Sequence, residues 1–186
     1  MAVNYCLVSE SSEGCVYRNA QMMGCGSFTF VNGDTLSTGS GCYANILVSD
    51  GDYDEDYYVT LWPNTELELQ IDGGQYFLEV ISGIYQVKHV ARGSSPARRV
   101  RGSRKRLRIR PIGTCYRCQL GSGDALNLWV IEGSVEMFHD GSSLTTLAAQ
   151  VARNVTQSGS LSAIVVTPEE WDEMEQTCGG SGSCCE

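Results

Sequence analysis

Apolar and polar positions alternate along most of this chain in short runs, and turn dipeptides punctuate the alternation. The stretch 126–147 shows this best: Leu126, Leu128 and Val130 alternate with polar or indole-bearing neighbours, Glu132-Gly133-Ser134 interrupts the run, and Val135 and Met137 resume an alternation ending at Asp140-Gly141. Successive side chains of a strand face opposite ways, so period two broken by turns predicts a β-meander.

The same pattern predicts strands over residues 3–8, 15–18, 27–31, 42–48, 57–62, 66–71, 76–81 and 84–90. Polar turns separate them: residues 9–14, Asn32-Gly33, Asp50-Gly51, Pro63-Asn64, Asp72-Gly73-Gly74 and Ser82-Gly83, at the spacing of hairpins. After the interruption at residues 93–96, Arg106, Arg108 and Arg110 alternate with Leu107 and Ile109, which puts the arginines on one face of a strand. Residues 115–120, 151–155 and 161–166 complete the strand set. Only the carboxyl end reads as helix: Thr167 caps it, Pro168 takes the first position, and Glu170 completes a capping box. The expectation is an all-β fold, an antiparallel meander forming a β-sandwich or short β-solenoid, with one short C-terminal helix. Residues 1–166 form the β domain, and residues 167–186 form an acidic helix and a Cys-bearing Gly/Ser tail.

Composition supports this reading: 186 residues bury a core without help, and 21 glycines among many short apolar runs favour strands over helices. No run is long enough for a membrane-spanning helix, and the first ten residues lack the regions of a signal peptide. The expected location is therefore extracellular or cell-surface if a leader has been removed, and cytosolic or virion otherwise. Nine cysteines favour export, where Cys6, Cys15, Cys25, Cys42, Cys115, Cys118, Cys178, Cys184 and Cys185 become disulfide candidates. Cys6 and Cys15 flank a predicted hairpin and are placed to pair across it.

Charge divides the chain. Net charge is -9, yet nine of the 13 basic residues fall between Arg92 and Arg110 with no acid among them; the rest of the chain holds 4 basic and 22 acidic residues, or -18. The strip Arg98, Arg99, Arg101, Arg104, Lys105, Arg106, Arg108 and Arg110 is the interface candidate. The acidic body opposes nucleic acid, and no aromatic interleaving offers bases a platform.

Five pieces in order carry a family likeness: Gly33-Asp34-Thr35-Leu36-Ser37-Thr38-Gly39; Ala44-Asn45-Ile46-Leu47-Val48-Ser49-Asp50-Gly51; Leu61-Trp62-Pro63-Asn64-Thr65; Gly113-Thr114; and Val130-Ile131-Glu132-Gly133-Ser134-Val135. Together they resemble the FecR-like domain, whose pieces read roughly GDxLxTG, a strand ending in DG, an L-x-x-N-T strand, an RGT turn and a V-x-E-G-x-V hairpin. The resemblance spans residues 3–166, with Ile112 where the turn would have arginine. It implies an all-β, non-enzymatic domain, known as the periplasmic sensing part of bacterial anti-sigma regulators and as a module of secreted proteins. The regulators' transmembrane helix and cytoplasmic segment have no counterpart here, so the implied form is a stand-alone domain.

Other candidate chemistry is thin. Cys115-Tyr116-Arg117-Cys118 is a C-x-x-C without the βαβ context of a redox motif, and it has no second matched pair for zinc. Asp50, Asp52, Asp54 and Asp56 alternate like a calcium loop, but Glu55 and Leu61 stand where an EF-hand needs glycine and glutamate. A solvated hairpin tip is the plainer reading, with calcium the weaker one. His89 and His139 sit in no catalytic pattern, and Asn154-Val155-Thr156 is a glycosylation sequon. The functional expectation is a non-enzymatic structural subunit that self-assembles with copies of itself, as a homo-oligomer or polymer held by complementary charge and disulfides. The alternative is a soluble sensory or binding module for a peptide, glycan or signalling partner.

Overall fold

Alternate positions of the strands turn inward, and the burial follows: Ala44, Ile46, Val48 and Asp50 are buried in one strand, and Glu55, Tyr57, Val59 and Leu61 in the next. The computed structural model describes residues 3–12, 14–52, 55–90, 100–179 and 183–185. The strands are β1 (Val3–Glu10), β2 (Val16–Arg18), β3 (Gln21–Met22), β4 (Ser27–Thr29), β5 (Thr35–Thr38), β6 (Ala44–Asp50), β7 (Glu55–Leu61) and β8 (Glu66–Asp72). There follow β9 (Gln75–Ser82), β10 (Ile84–Val90), β11 (Val100–Arg104), β12 (Leu107–Leu120), β13 (Leu126–His139), β14 (Ser142–Ala148), β15 (Val151–Val155), β16 (Leu161–Ala163) and the helix α1 (Pro168–Gln176).

All these strands join one sheet. Its axis is β12, which pairs with β13 on one side and, on the other, with β11 and β10 placed end to end. From β11 the sheet continues through β9, β8, β5 and β2 to β3; from β10 it continues through β7, β6 and β1 to β4. The pair β9–β11 is parallel, and the other described pairs are antiparallel. The two wings curl together over one core that draws on both. Phe30 meets Tyr76 edge-on at 5.1 Å, Arg18 stands 5.0 Å over Phe28, and the Cys15–Cys42 disulfide ties the wings covalently. The sequence left sandwich and solenoid open; the single curled sheet is the form the all-β chain takes.

Several turn dipeptides serve as corners instead of hairpins. β8 and β9 do form a hairpin around Gly73-Gly74, and β6 and β7 pair from Asp50 opposite Glu55. By contrast, Pro63-Asn64 and Ser82-Gly83 carry the chain from one wing to the other, and the two corners clip together: Thr65 Oγ1 donates to Ile84 O at 2.8 Å and accepts from Ile84 N at 3.0 Å. Gly83 fits there because a Cβ would lie 2.6 Å from Thr65 Cα. Glu132-Gly133-Ser134 is no hairpin either. It is a bulge inside the 14-residue strand β13, facing the matching irregularity between Ile112 and Cys115.

Asp34, within the Gly33-Asp34 motif, is a structural hub. Its carboxylate accepts from Tyr5 Oη at 3.0 Å, Asn19 Nδ2 at 2.8 Å, and Arg18 Nε and Nη2 at 3.1 and 2.8 Å. Burial alone would raise its pKa, but the bonds from Asn19, Arg18 and Tyr5 outweigh it and hold the carboxyl below its ordinary range.

The carboxyl end takes the predicted form. Thr167 Oγ1 accepts from Glu170 N, and Glu170 Oε2 accepts from Thr167 N at 2.8 Å, completing the capping box. Met174 and Cys178 are pressed with Trp171 against Cys115, Trp129 and Ile131 on the outer face of the sheet. Cys115–Cys178, Cys6–Cys184 and Cys25–Cys185 then tie the segment beyond residue 167 to the β domain at three points.

Candidate anion-binding groove

On the outer face of β9, β11, β12 and β13, period two brings polar side chains into two rows. Register sets Phe77 beside Arg101, and Arg110 beside Glu136; one step along lie Glu79 beside Ser103, Ser103 beside Arg108, and Arg108 beside Phe138. These rows line a groove of about 580 Å³, to which one turn adds Asp72 and Gly73 and another adds Asp140 and Gly141. Five cations line it (Arg101, Lys105, Arg106, Arg108 and Arg110) against the two carboxylates Asp72 and Asp140.

Most of these cations have partners. Arg110 pairs with Glu136, Arg106 with Asp140, and Lys105 with Asp124. Arg108 Cζ stands over Phe77, 4.2 Å from the ring centre, and Arg110 Cζ stands 5.4 Å from that of Phe138. A guanidinium stacked this way gains about 0.5–1 kcal/mol and keeps its N–H edge free for a planar anion. Arg108 Nη1 comes no nearer than 4.0 Å to Glu79 and has no hydrogen-bond partner, although the atom is buried.

Arg101 is the unusual member. Its Nε is buried without a partner. Burial, and then the neighbouring Arg110, push its pKa below the ordinary arginine value. A half-buried guanidinium beside a like charge is destabilised unless an anion arrives, so Arg101 and Arg108 present unmet donors where negative charge is most favoured.

The predicted basic strip is thus divided. Arg101, Lys105, Arg106, Arg108 and Arg110 reach the groove, whereas Arg104 is buried, donates to Val80 O at 3.0 Å and pairs with Asp124. Arg98 and Arg99 lie outside the described residues. Phe77, Phe138, Glu79 and Glu136 were not singled out from the sequence. Their signal was phase: Val135 and Met137 are the buried positions of β13, so Phe138 is an aromatic on the polar face.

Eight of the nine candidate cysteines are bridged, but Cys6 does not pair with Cys15. Strands β1 and β2 are not neighbours, so Cys6 bonds Cys184 and Cys15 bonds Cys42. Cys118 is a correction to the disulfide set: it is free and buried, and burial pushes its thiol up to about 12. The irregularity before Cys115 puts Cys115 outward beneath α1 and Cys118 inward in the core, so the C-x-x-C cannot close on itself.

The remaining candidates do not converge. Asp50 is buried, whereas Asp56 faces outward and accepts from Ser49 Oγ at 2.6 Å; Asp52 is exposed, and Asp54 lies outside the described residues. Among the described residues no group of three or more His, Cys, Asp or Glu is arranged to hold a metal ion. His89 is buried and stacks on Tyr57 at 4.8 Å, with Glu55 3.9 Å from its Nε2. His139 Nε2 lies 2.9 Å from Gln157 O. Asn154 sits in β15, and its Nδ2 donates to Asn127 Oδ1 at 2.7 Å. No helix among the described residues is long and apolar enough to cross a membrane.

No protein-family model matches this chain, and no curated protein matches it. Among solved structures it is similar to two crystal structures described as a candidate anti-sigma factor from Parabacteroides distasonis, each 14% identical with a TM-score of 0.49. Each match covers 69% of this chain and 57% of the other, so this chain spans little more than half that protein's length.

Proposed function

We propose that this chain is a non-enzymatic recognition module, a disulfide-stapled β domain of an oxidising compartment that binds an anionic partner in the arginine groove. The observation that carries the reading is Arg101, a partly buried guanidinium beside Arg110 whose Nε donor is buried and unmet. The motif likeness to FecR-like domains agrees with it, since that family's sensing role is one of binding. The four disulfides also agree, because cross-links hold a small site rigid and belong to oxidising surroundings. Arginine side-chain Nε–Hε resonances, followed by NMR during a titration with inorganic sulfate, test it. Shifts at Arg101 and Arg108, with Arg18 unmoved on Asp34, are the expected result; no shift at either groove arginine defeats the reading.

Self-assembly is the second reading, and a different feature favours it. The edge strand β16 pairs only with β15 and is exposed at all three residues, and Val165 beyond it is 91% exposed. Such an edge can accept a strand from another copy. Assembly through the arginines would have to displace Asp140 from Arg106 and Glu136 from Arg110. Sedimentation of the protein at rising concentration separates the two: a monomer throughout removes the assembly reading.

A further inference from the structure

The groove also carries hydrogen-bond acceptors, and the arrangement of donors and acceptors narrows the chemistry of its occupant. Resting on the recognition reading above, we propose that the groove holds a segment of anionic polysaccharide, with Arg101 and Arg108 taking its acid groups and Gln75, Asp72 and Asp140 taking its hydroxyls.

Three observations support a sugar acid over other anions. The first is the acceptor set. Gln75 lines the groove, its Oε1 is buried without a hydrogen-bond partner, and Asp72 and Asp140 add carboxylate acceptors to the same lining. An unmet amide oxygen costs free energy until a donor meets it, and hydroxyls are donors that phosphate, sulfate and carboxylate groups lack. Unmet donors and acceptors lining one groove match a chain that carries acid groups spaced among hydroxyls.

The second is the floor. Each of β9, β11, β12 and β13 has a strand paired on either side, β9 meeting β11 over Tyr76 to Glu79, so the groove lies on a sheet face and not at an edge. A peptide laid across it finds no free strand to extend and must leave its backbone groups to water, and the lining carboxylates Asp72 and Asp140 repel one dense in acids. A glycan has no such backbone requirement.

The third is the state of the aromatics. Phe77 is buried and its ring is covered by Arg108, and Phe138 lies beneath Arg110. Guanidiniums thus stand over both rings where a base would stack, which disfavours single-stranded nucleic acid. The remainder of the acidic chain further opposes any polymer of dense charge, so spaced charge fits better. Four neighbouring strands give a floor about 14 Å across, enough for a short oligosaccharide.

The test is isothermal titration of the full disulfide-bonded chain with four hexameric probes: a κ-carrageenan oligosaccharide, which carries spaced sulfates and no uronate, oligogalacturonate, neutral maltohexaose and hexaglutamate. Binding of either acidic oligosaccharide, with maltohexaose and hexaglutamate much weaker, is the expected result; the sulfated and uronate arms distinguish which acid group is read. Arg101→Gln and Arg108→Gln should each weaken that binding about tenfold, as loss of a charge-assisted bond does. Gln75→Leu should weaken it for the oligosaccharides without altering the sulfate-induced shifts of Arg101. Thermal melts of each variant confirm that the fold is intact. Hexaglutamate binding as tightly as the oligosaccharides overturns the polysaccharide assignment but leaves the anion groove standing. Failure of every acidic probe, with no sulfate response, overturns the groove itself.

Discussion

The outer face of the β12–β13 hairpin is built twice, and its two halves reach opposite ends. Beyond the bulge at Gly133, toward β10 and β15, the outward side chains Cys115, Trp129 and Ile131 lie under α1, with Met174 only 3% exposed and Cys115 bonded to Cys178. Before the bulge in β12, toward β11 and β14, the outward side chains Arg108, Arg110 and Phe138 line an open groove. Both halves carry aromatics on the solvent side. In the covered half the chain supplies a helix to bury them; in the open half stacked guanidiniums cover them and leave charge on display. An outer sheet face can therefore be finished by added structure or by its own arginines, and only the second finish leaves an open, charged groove.

The largest test breaks the covered half alone. Replacing Cys115 and Cys178 together by Ala opens a cross-link between residues 63 apart, which should cost about 3 kcal/mol in chemical denaturation. Groove binding should survive at a denaturant concentration of zero. If binding disappears with the staple, the halves are not independent.

Gly133→Ala strikes the boundary. Gly133 has φ +67°, and a Cβ there would lie 2.8 Å from Ile112 O, so strain and overlap together should cost about 2–3 kcal/mol by denaturant midpoint. Loss of the bulge should also alter the Arg110 and Glu136 register, which amide shifts would report. A variant of unchanged stability would show that the bulge is not needed to divide the face.

The halves should then differ in what single truncations do. Met174→Ala should cost about 2 kcal/mol because it leaves a cavity under the helix, whereas Arg108→Ala, on a partly exposed stack, should cost about 1 kcal/mol. Equal costs would mean that the guanidinium is as much core as the methionine. Arg106→Gln, at the exposed rim pair with Asp140, should leave the midpoint unmoved within error.

Acid should act away from both halves. Asp34 has a depressed pKa, so the stability it contributes is full above its unfolded value of about 4 and is lost as pH falls through the folded value. Asp34→Asn should remove that acid step from a melt series. His89 is held down by burial against the pull of Glu55, so between its folded value and about 6.5 the unfolded chain binds the extra proton and stability declines as pH drops. His89→Phe, keeping the stack on Tyr57, should flatten the profile in that window. A profile unchanged by the substitution would show that the imidazole is not buried in its neutral form.

The chain's local grammar was legible. Alternation placed twelve of the sixteen described strands and missed the short or less regular β3, β5, β11 and β14, Thr167-Pro168 and Glu170 placed the helix start, and Arg106, Arg108 and Arg110 were set on one face against Leu107 and Ile109. These features depend on residues a few positions apart, where backbone periodicity and capping chemistry act directly. Which arginine keeps an unmet Nε was not legible, because it depends on Glu136 and Asp140 arriving from other parts of the chain to meet Arg110 and Arg106 while the Nε of Arg101 is buried without a hydrogen bond.

The amino-acid order by itself determined an all-β chain with one capped helix and a cluster of alternating arginines, since strand pleat and helix start are short-range consequences of side-chain type. Tertiary structure alone decided that Pro63-Asn64 and Ser82-Gly83 are corners, that Cys6 finds Cys184 across a separation of 178 residues, and that Cys118 stays reduced in the core. The reason is that turn residues permit a reversal without specifying the partner strand, and a thiol bonds whichever neighbour the curled sheet delivers.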